Sequence, residues 1–272
     1  MKHKKSKVSV IIPTFNSERT IKTCIESVMG EYPSVEIIVV DNFSSDRTGK
    51  IALNMGANFI QRRCDRAEAR NIGLLHSSGN YVLFLDADQK LWRGTITECI
   101  KTCVEKNVDA VKIPELFVGR DFWGECTALW KNYMVEAWGS NGGIPRFYNA
   151  KLIDRNRAFR VGLAFWEDIE LYERLEANGV KAAWCNGLII HYEDGDLRET
   201  VRKYFLYGKS SATLPSESAK RNIYRTANLT LKTLSLLLRK PRRPLRIYLG
   251  TFLMAAIKAV TLSLGFLSKV FK

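Results

Sequence analysis

The chain has 272 residues, of which 46% are hydrophobic, 26% charged and 11% aromatic. That is ordinary globular usage, and it excludes a disordered chain, a collagen-like chain and a small disulfide scaffold. The net charge of +14 would suit a nucleic-acid binder, but residues 1–196 hold 26 basic and 26 acidic side chains, whereas residues 197–272 hold 16 and 2. The excess belongs to an appendage, so the sequence divides into a body, 1–196, and a basic C-terminal region, 197–272.

The opening Met1-Lys2-His3-Lys4-Lys5-Ser6-Lys7 is basic, but only five apolar-type residues follow before Pro13. That is too short for the apolar core of a signal peptide, and the body is expected in the cytoplasm. Val8–Ile12 reads as a buried strand, and Ser17–Met29 as a helix with Ile21, Cys24, Ile25 and Val28 on one face and Ser17 as N-cap. Val35–Val40 is a second strand, Asp46–Asn54 a short helix, Phe59-Ile60 part of a weak strand, and Ala67–His76 a helix. Tyr81–Leu85 is a nearly continuous apolar strand that stops at Asp86-Ala87-Asp88. Apolar strands alternating with helices predict a parallel sheet covered on both faces, with ligands at the carboxyl ends of its strands. Two of those ends carry carboxylates, Asp41 after the second strand and Asp86 and Asp88 after the fourth.

Beyond Thr95 the pattern loosens. A helix near 95–105, a strand at 109–113 and an aromatic-rich helix from Phe122 to Trp138 are followed by a Gly-rich turn, Ser140–Gly143. A strand near Pro145–Tyr148 comes next. Trp166-Glu167-Asp168 opens a helix that stops at Asn178-Gly179, and a strand around 180–190 ends at His191. The six cysteines, at 24, 64, 99, 103, 126 and 185, include no CxxC pair, and the spacing favours free buried thiols in a reducing compartment.

Asp86 and Asp88 flank one residue, so in extended geometry both carboxylates point the same way. They repel each other unless a cation lies between them, and oxygen donors suit Mg²⁺ or Mn²⁺ completed by substrate phosphates. A solvated Asp-rich turn is the alternative. Five blocks settle the context: Val8-Ser9-Val10-Ile11-Ile12-Pro13-Thr14-Phe15-Asn16, Val39-Val40-Asp41-Asn42-Phe43-Ser44-Ser45-Asp46-Arg47-Thr48, Ala67-Glu68-Ala69-Arg70-Asn71-Ile72-Gly73, Gly79-Asn80-Tyr81-Val82-Leu83-Phe84-Leu85-Asp86-Ala87-Asp88 and Trp166-Glu167-Asp168. In this order they resemble the family-2 glycosyltransferases of the GT-A fold, over roughly residues 8–210.

The resemblance implies a Rossmann-like α/β fold with a mostly parallel sheet and flanking helices, and an inverting transfer from a UDP-, GDP- or dTDP-sugar to a lipid-linked or glycan acceptor. Pro13, Thr14, Asn16 and Glu18 would line the nucleotide pocket, Asp41 and Asn42 would meet base and ribose, and Arg70 would close the pocket or approach the diphosphate. Asp86 and Asp88 match the metal motif, with His191 as a further ligand or else a histidine satisfied by backbone. Asp168 would be the catalytic base, favoured in its ionised form by the helix N-terminus, with Glu167 as a capping acid. Asp41 as an N-cap or loop acid and Asp168 as an ordinary first-turn acid remain the plain alternatives. No Q-x-x-R-W motif is present, which argues against a processive synthase. Trp123, Trp130 and Trp138 fall near the expected acceptor side, although that spacing also suits a core.

In the tail, Leu197–Ser211 mixes basic and aromatic residues and Ile223–Leu238 is Leu-rich. Arg239-Lys240-Pro241-Arg242-Arg243-Pro244 makes a basic hinge, and Leu245–Phe271 is apolar. Thr251, Lys258, Thr261, Gly265, Ser268 and Lys272 form one polar stripe along it. Lys258 at its midpoint argues against a span, and the pattern predicts a basic amphipathic helix in the plane of the inner membrane face, anchored at anionic headgroups. Packing onto the catalytic domain is the other option. Two further classes compete. A sugar nucleotidyltransferase would need a Gly-rich phosphate loop where Pro13–Glu18 has no glycine. A nucleic-acid-binding protein would spread its charge over the domain.

Overall fold

The computed structural model describes residues 6–139, 142–155, 157–163, 166–212, 216–239 and 243–270. The chain alternates β1 (Val8–Thr14), α1 (Ile21–Val28), β2 (Val35–Asp41), α2 (Thr48–Asn54), β3 (Asn58–Gln61), α3 (Arg66–Leu75) and β4 (Tyr81–Phe84). A short β5 (Gln89–Leu91) leads to α4 (Thr95–Glu105), β6 (Ala110–Lys112), β7 (Glu115–Gly119) and the long α5 (Phe122–Trp138). Next come β8 (Phe147–Asn149), α6 (Glu167–Ala177), β9 (Ala182–Trp184) and β10 (Ile189–Glu193), followed by the helices α7 (Leu197–Ser211), α8 (Ser216–Arg239) and α9 (Leu245–Val270).

Two compact units result: Met1–Pro114 with Ile144–Gly162 and Trp166–Ile190, and Glu115–Gly143 with Leu163–Phe165 and His191–Lys272. Composition puts a boundary at Asp196, whereas compactness groups the tail with the segment around α5. Parts of the predicted basic N-terminus (1–5), Gly-rich turn (140–141), basic hinge (240–242) and polar stripe (Lys272) lie outside the described residues.

The first unit is built on a seven-stranded sheet in the order β3-β2-β1-β4-β8-β6-β9. β1 runs parallel to β2 and β4, β2 to β3 and β6 to β9, and only β8 is antiparallel to its neighbours. The sheet is mostly parallel, as expected. Strand periodicity sends Val8, Val10 and Ile12 to a core shared with α1 and α4, and Ile11 to a second core shared with α3 and α6. Gly73 permits the close approach of α3, since a Cβ there would lie 2.3 Å from Ile11 Cγ2. All six cysteines are unbonded and buried.

Three local expectations change. Helix α1 starts at Ile21 and not at Ser17, which lies in the preceding loop with its amide donating to the Thr48 hydroxyl at 2.7 Å. The strand expected over 180–190 is two strands, β9 and β10. β5 and β7 were not anticipated, the first being only three residues long and the second exposing Leu116 and Val118 while burying Phe117.

The second unit is mostly helical, with β7 and the end of β10 beside a core of Cys126, Leu129, Tyr133, Leu237, Ile247 and Tyr248. Trp123 and Trp130 pack against that core, which is the structural option for both. Helix α9 is oriented the other way round from the amphipathic reading. Thr251 is fully buried, Thr261 and Gly265 are buried, and the Thr251 hydroxyl donates to the Cys126 carbonyl at 3.1 Å. The polar stripe faces inward because its small residues let helices touch: a Cβ on Gly265 would lie 2.1 Å from the Phe205 carbonyl oxygen. Leu245, Leu249, Leu253, Val260 and Leu264 are exposed instead.

Candidate active site

The carboxyl ends of β1, β2 and β3 lie side by side, and side chains tie them together. Asp41 is fully buried. Its carboxylate accepts from the Thr14 hydroxyl at 2.9 Å, the Ser44 amide at 2.9 Å, the Ser44 hydroxyl at 2.5 Å and Gln61 Nε2 at 3.3 Å. Asn16 Oδ1 accepts from the Ser45 amide at 2.9 Å, and its own amide donates to Ser44 Oγ at 2.7 Å. Glu18 Oε2 accepts from the Arg47 amide at 3.0 Å and from Arg47 Nε at 3.1 Å, which holds its carboxyl below the usual range. Asn42 Oδ1 accepts from the Cys64 amide at 3.2 Å, and Pro13 sits opposite Val40 in the β1–β2 register. Asp41 therefore fixes the two loops from within. Phe15 and Phe43, in the same two loops, are exposed.

Two of these loop residues, Asn16 (φ 49°) and Phe43 (φ 52°), have left-handed backbone. For a bulky side chain that conformation costs of order 1–3 kcal/mol and persists where surroundings enforce it, often at ligand sites. Here the enforcing bonds are those of Ser44 and Ser45. Arg63 stands over the Phe43 ring at 5.8 Å.

Below the loops, Arg70 links two motifs that are far apart in the sequence. It is 1% exposed on α3. Its Nη2 donates to Asp86 Oδ1 at 2.7 Å and its Nη1 to Glu167 Oε1 at 3.0 Å, with the guanidinium 5.3 Å from the Phe159 ring. Arg146 Nη1 reaches the other Asp86 oxygen at 3.3 Å, and Arg66 Nε reaches Glu167 Oε1 at 2.6 Å. Burial raises the Glu167 carboxyl, and the Asp168 charge adds to this, while Arg66 and Arg70 oppose it. Glu167 Oε2 is buried without a hydrogen-bond partner. Glu167 is thus a member of a buried ionic network and not a capping acid.

Asp168 differs. It is half-buried, and among the described residues its side chain accepts from the adjacent Ile169 amide at 2.9 Å. Its charge pushes up the buried Tyr148 hydroxyl, after burial itself. Trp166, just before the pair, has φ 68°, so the turn into α6 is also left-handed.

His191 lies in the second unit, with Nδ1 3.6 Å from Glu115 Oε2, Nε2 3.8 Å from Glu193 Oε1 and its ring 5.0 Å from that of Phe117. Among the described residues no group of three or more His, Cys, Asp or Glu side chains is gathered to hold a metal ion. Asp86 and Asp88 nevertheless offer hard oxygen donors at a strand end, and both are close enough to Cys24 that their charges help burial raise its thiol. A pair of carboxylates fits Mg²⁺ or Mn²⁺, which commonly take one or two protein carboxylates and complete their shell with phosphate oxygens and water.

Sequence reasoning missed Arg66, Arg146 and Phe159, which have no motif around them, and Phe15 and Phe43, whose exposure beside left-handed loop residues is visible only in three dimensions.

Residues 9–175 match the family model described as Glycosyl transferase family 2. Glycosyltransferase GlyA of Streptococcus pneumoniae is 32% identical over 110 residues, covering 38% of this chain and 16% of that protein. The Escherichia coli protein described as UDP-Glc:alpha-D-GlcNAc-diphosphoundecaprenol beta-1,3-glucosyltransferase WfgD is 36% identical over 91 residues, covering 31% of this chain and 36% of that protein. Matches to these curated relatives span well under half of their length. The solved mannosyltransferase PcManGT from Pyrobaculum calidifontis, in complex with GDP-Man and Mn²⁺, superimposes with a TM-score of 0.60 at 20% identity, over 98% of this chain and 88% of that one. At that identity the likeness concerns the fold.

Proposed function

The chain belongs to glycosyl transferase family 2, and from that premise we propose that it moves a sugar from a nucleotide-sugar donor to an acceptor hydroxyl or phosphate with inversion. The observation that carries this reading is the network in which one buried arginine, Arg70, holds both Asp86, at the end of β4, and Glu167, beside Asp168. It fixes a candidate donor-phosphate motif and a candidate base in one unit. The alternative classes, a sugar nucleotidyltransferase and a nucleic-acid-binding protein, do not call for such a pair.

In this reading Phe15 and Phe43 offer faces to the base, the loops held by Thr14, Asn16, Glu18, Asp41 and Asn42 shape the nucleoside pocket, and Pro13 ends the strand beneath them. The acceptor oxygen attacks the anomeric carbon of the donor, its proton passes to Asp168, and the bond from that carbon to the diphosphate oxygen breaks with its electron pair on the leaving group. A divalent cation held at Asp88 and Asp86 would supply neutralisation of the leaving diphosphate. Arg70 and Arg146 hold Asp86 in place for this, while Glu167 keeps Arg70 aligned. His191 is a less favoured ligand, being occupied by glutamates of its own unit.

Nucleoside-diphosphate release should be measured with a panel of UDP-, GDP- and dTDP-sugars. One donor is expected to react in Mg²⁺ or Mn²⁺, chelator should stop it, and Asp88→Ala should lower it about 100-fold or more. Neither release nor metal-dependent nucleotide binding with any donor would sink the reading.

The acceptor is lipid-linked in this proposal, and residues 197–272 associate with the inner membrane face from the cytoplasm. The support is twofold: WfgD is described as acting on a diphosphoundecaprenol-linked sugar, and α9 is long and apolar enough to cross a membrane by length and composition while exposing its leucines. With the polar side inward, the outer leucines and not the polar stripe would meet lipid. In a flotation assay the full chain should rise with anionic vesicles, and Leu249→Asp combined with Leu264→Asp should leave it at the bottom. Equal flotation of both would show that this face is not the docking surface.

A further inference from the structure

The second unit contains a concentration of charge that the transfer chemistry does not use. Lys131 on α5, Lys203 on α7 and Lys258 on α9 act on one another electrostatically. Facing them is Glu193, on β10, which pairs with Lys131 and lies 3.8 Å from the His191 ring. Glu115 on β7 takes the other side of that ring at 3.6 Å, and Arg120 is 3.7 Å from Asp194.

Lys258 stands out. Its ammonium donates to the Thr127 hydroxyl at 3.1 Å and lies 5.3 Å from the centre of the Tyr204 ring, and no carboxylate among the described residues pairs with it. Burial, reinforced by Lys131 and Lys203 and opposed by Glu193, lowers it to about 7. A desolvated cation without an anion is costly, and such groups beneath an apolar surface are usually kept for a ligand. Lys203 is exposed at the edge of this group. The helix that carries Lys258 turns Leu253, Val260 and Leu264 outward.

We propose that Lys131, Lys203 and Lys258 bind the phosphate or diphosphate of a lipid-linked acceptor, with its hydrocarbon chain along the outward leucines of α9. This rests on the lipid-acceptor reading given above. Three ammonium groups from three helices supply charge-assisted donors to the several anionic oxygens of such a headgroup.

The full-length protein should be titrated with geranylgeranyl diphosphate, geranylgeraniol and inorganic diphosphate, as wild type, Lys258→Met and Lys203→Gln, with nucleotide binding followed in parallel. The lipid diphosphate should bind wild type about tenfold or more tightly than either half-molecule, and each variant should lose about tenfold, with nucleotide binding unchanged. Lys258→Met is not expected to unfold. A lysine depressed to about 7 from an ordinary 10.5 costs the folded state most below pH 7. The variant's melting temperature should therefore exceed wild type there, and the gain should shrink as pH rises towards 10.5. Equal binding of the lipid diphosphate and geranylgeraniol, or of wild type and both variants, would overturn the proposal. So would inorganic diphosphate binding as tightly as the lipid. Nucleotide binding and donor hydrolysis by the same preparations report on the transfer reading separately.

Discussion

Replacing Arg70 with alanine is expected to destabilise the chain by about 3–5 kcal/mol, the usual cost of removing one member of a buried ion pair. Asp86 keeps Arg146 and Glu167 keeps Arg66, but Arg70 is 1% exposed and its removal also leaves a void beside Phe159. At roughly 2–4 °C per kcal/mol the loss is large in a thermal scan. It should depend on pH in a defined direction. Burial already raises the Glu167 carboxyl, and losing a cation raises it further. The deficit is full where Glu167 must be ionised and narrows as falling pH lets it take a proton. Arg70→Lys should recover only part, because one ammonium cannot replace two guanidinium nitrogens aimed at two carboxylates, Nη2 at Asp86 and Nη1 at Glu167. Chemical denaturation of the three proteins at pH 5 and pH 7.5 tests this, and a loss under about 1 kcal/mol would mean the network is not structural.

The second large effect is catalytic. Asp168→Asn should reduce kcat by about 10²–10⁴, the span of general-base catalysis, and leave nucleotide affinity and melting temperature close to wild type. Among the described residues, the half-buried Asp168 has one local hydrogen bond to give up. Glu167→Gln should behave in the opposite way, with a stability loss at neutral pH that follows from weakening its contacts to Arg66 and Arg70. Steady-state kinetics with donor and acceptor, read beside thermal melts, separates the two. If Asp168→Asn kept its turnover, another group would have to be the base.

Much of this was legible in the sequence. The β1, β2 and β4 strands were readable because buried parallel strands are nearly continuous apolar runs; that pattern placed Asp41 and Asp86 at strand ends and Asp168 at a helix start, and the family resemblance added their expected roles. What could not be read is which partner each group takes. The pattern around Arg70 is that of any helix, yet the side chain is buried because Glu167 comes from 97 residues away in the chain. The tail shows the limit from the other side. Periodicity located one polar stripe on α9, but a helical wheel has no inside or outside until the surrounding helices arrive. Thr251 is buried against the Cys126 carbonyl of α5 and Gly265 against the Phe205 carbonyl of α7, and those contacts turned the stripe inward. β5 escaped because three residues carry no period.

The loops after β1 and β2 bind each other through side chains before any ligand arrives. The amides of Asn16, Ser17, Glu18, Ser44, Ser45, Arg47 and Thr48 each donate to a neighbouring side chain. Such turns have already surrendered their conformational entropy when the chain folds, at about 1–2 kcal/mol for each residue fixed. If these loops form the nucleoside pocket as proposed, a donor would meet a rigid wall, and its affinity would depend on how well the base and ribose fit and be expressed as residence time more than as rate of capture. In the proposed reading, donor choice would therefore be a property of the folded state, set by the geometry of loops held by Asp41 and Asn16.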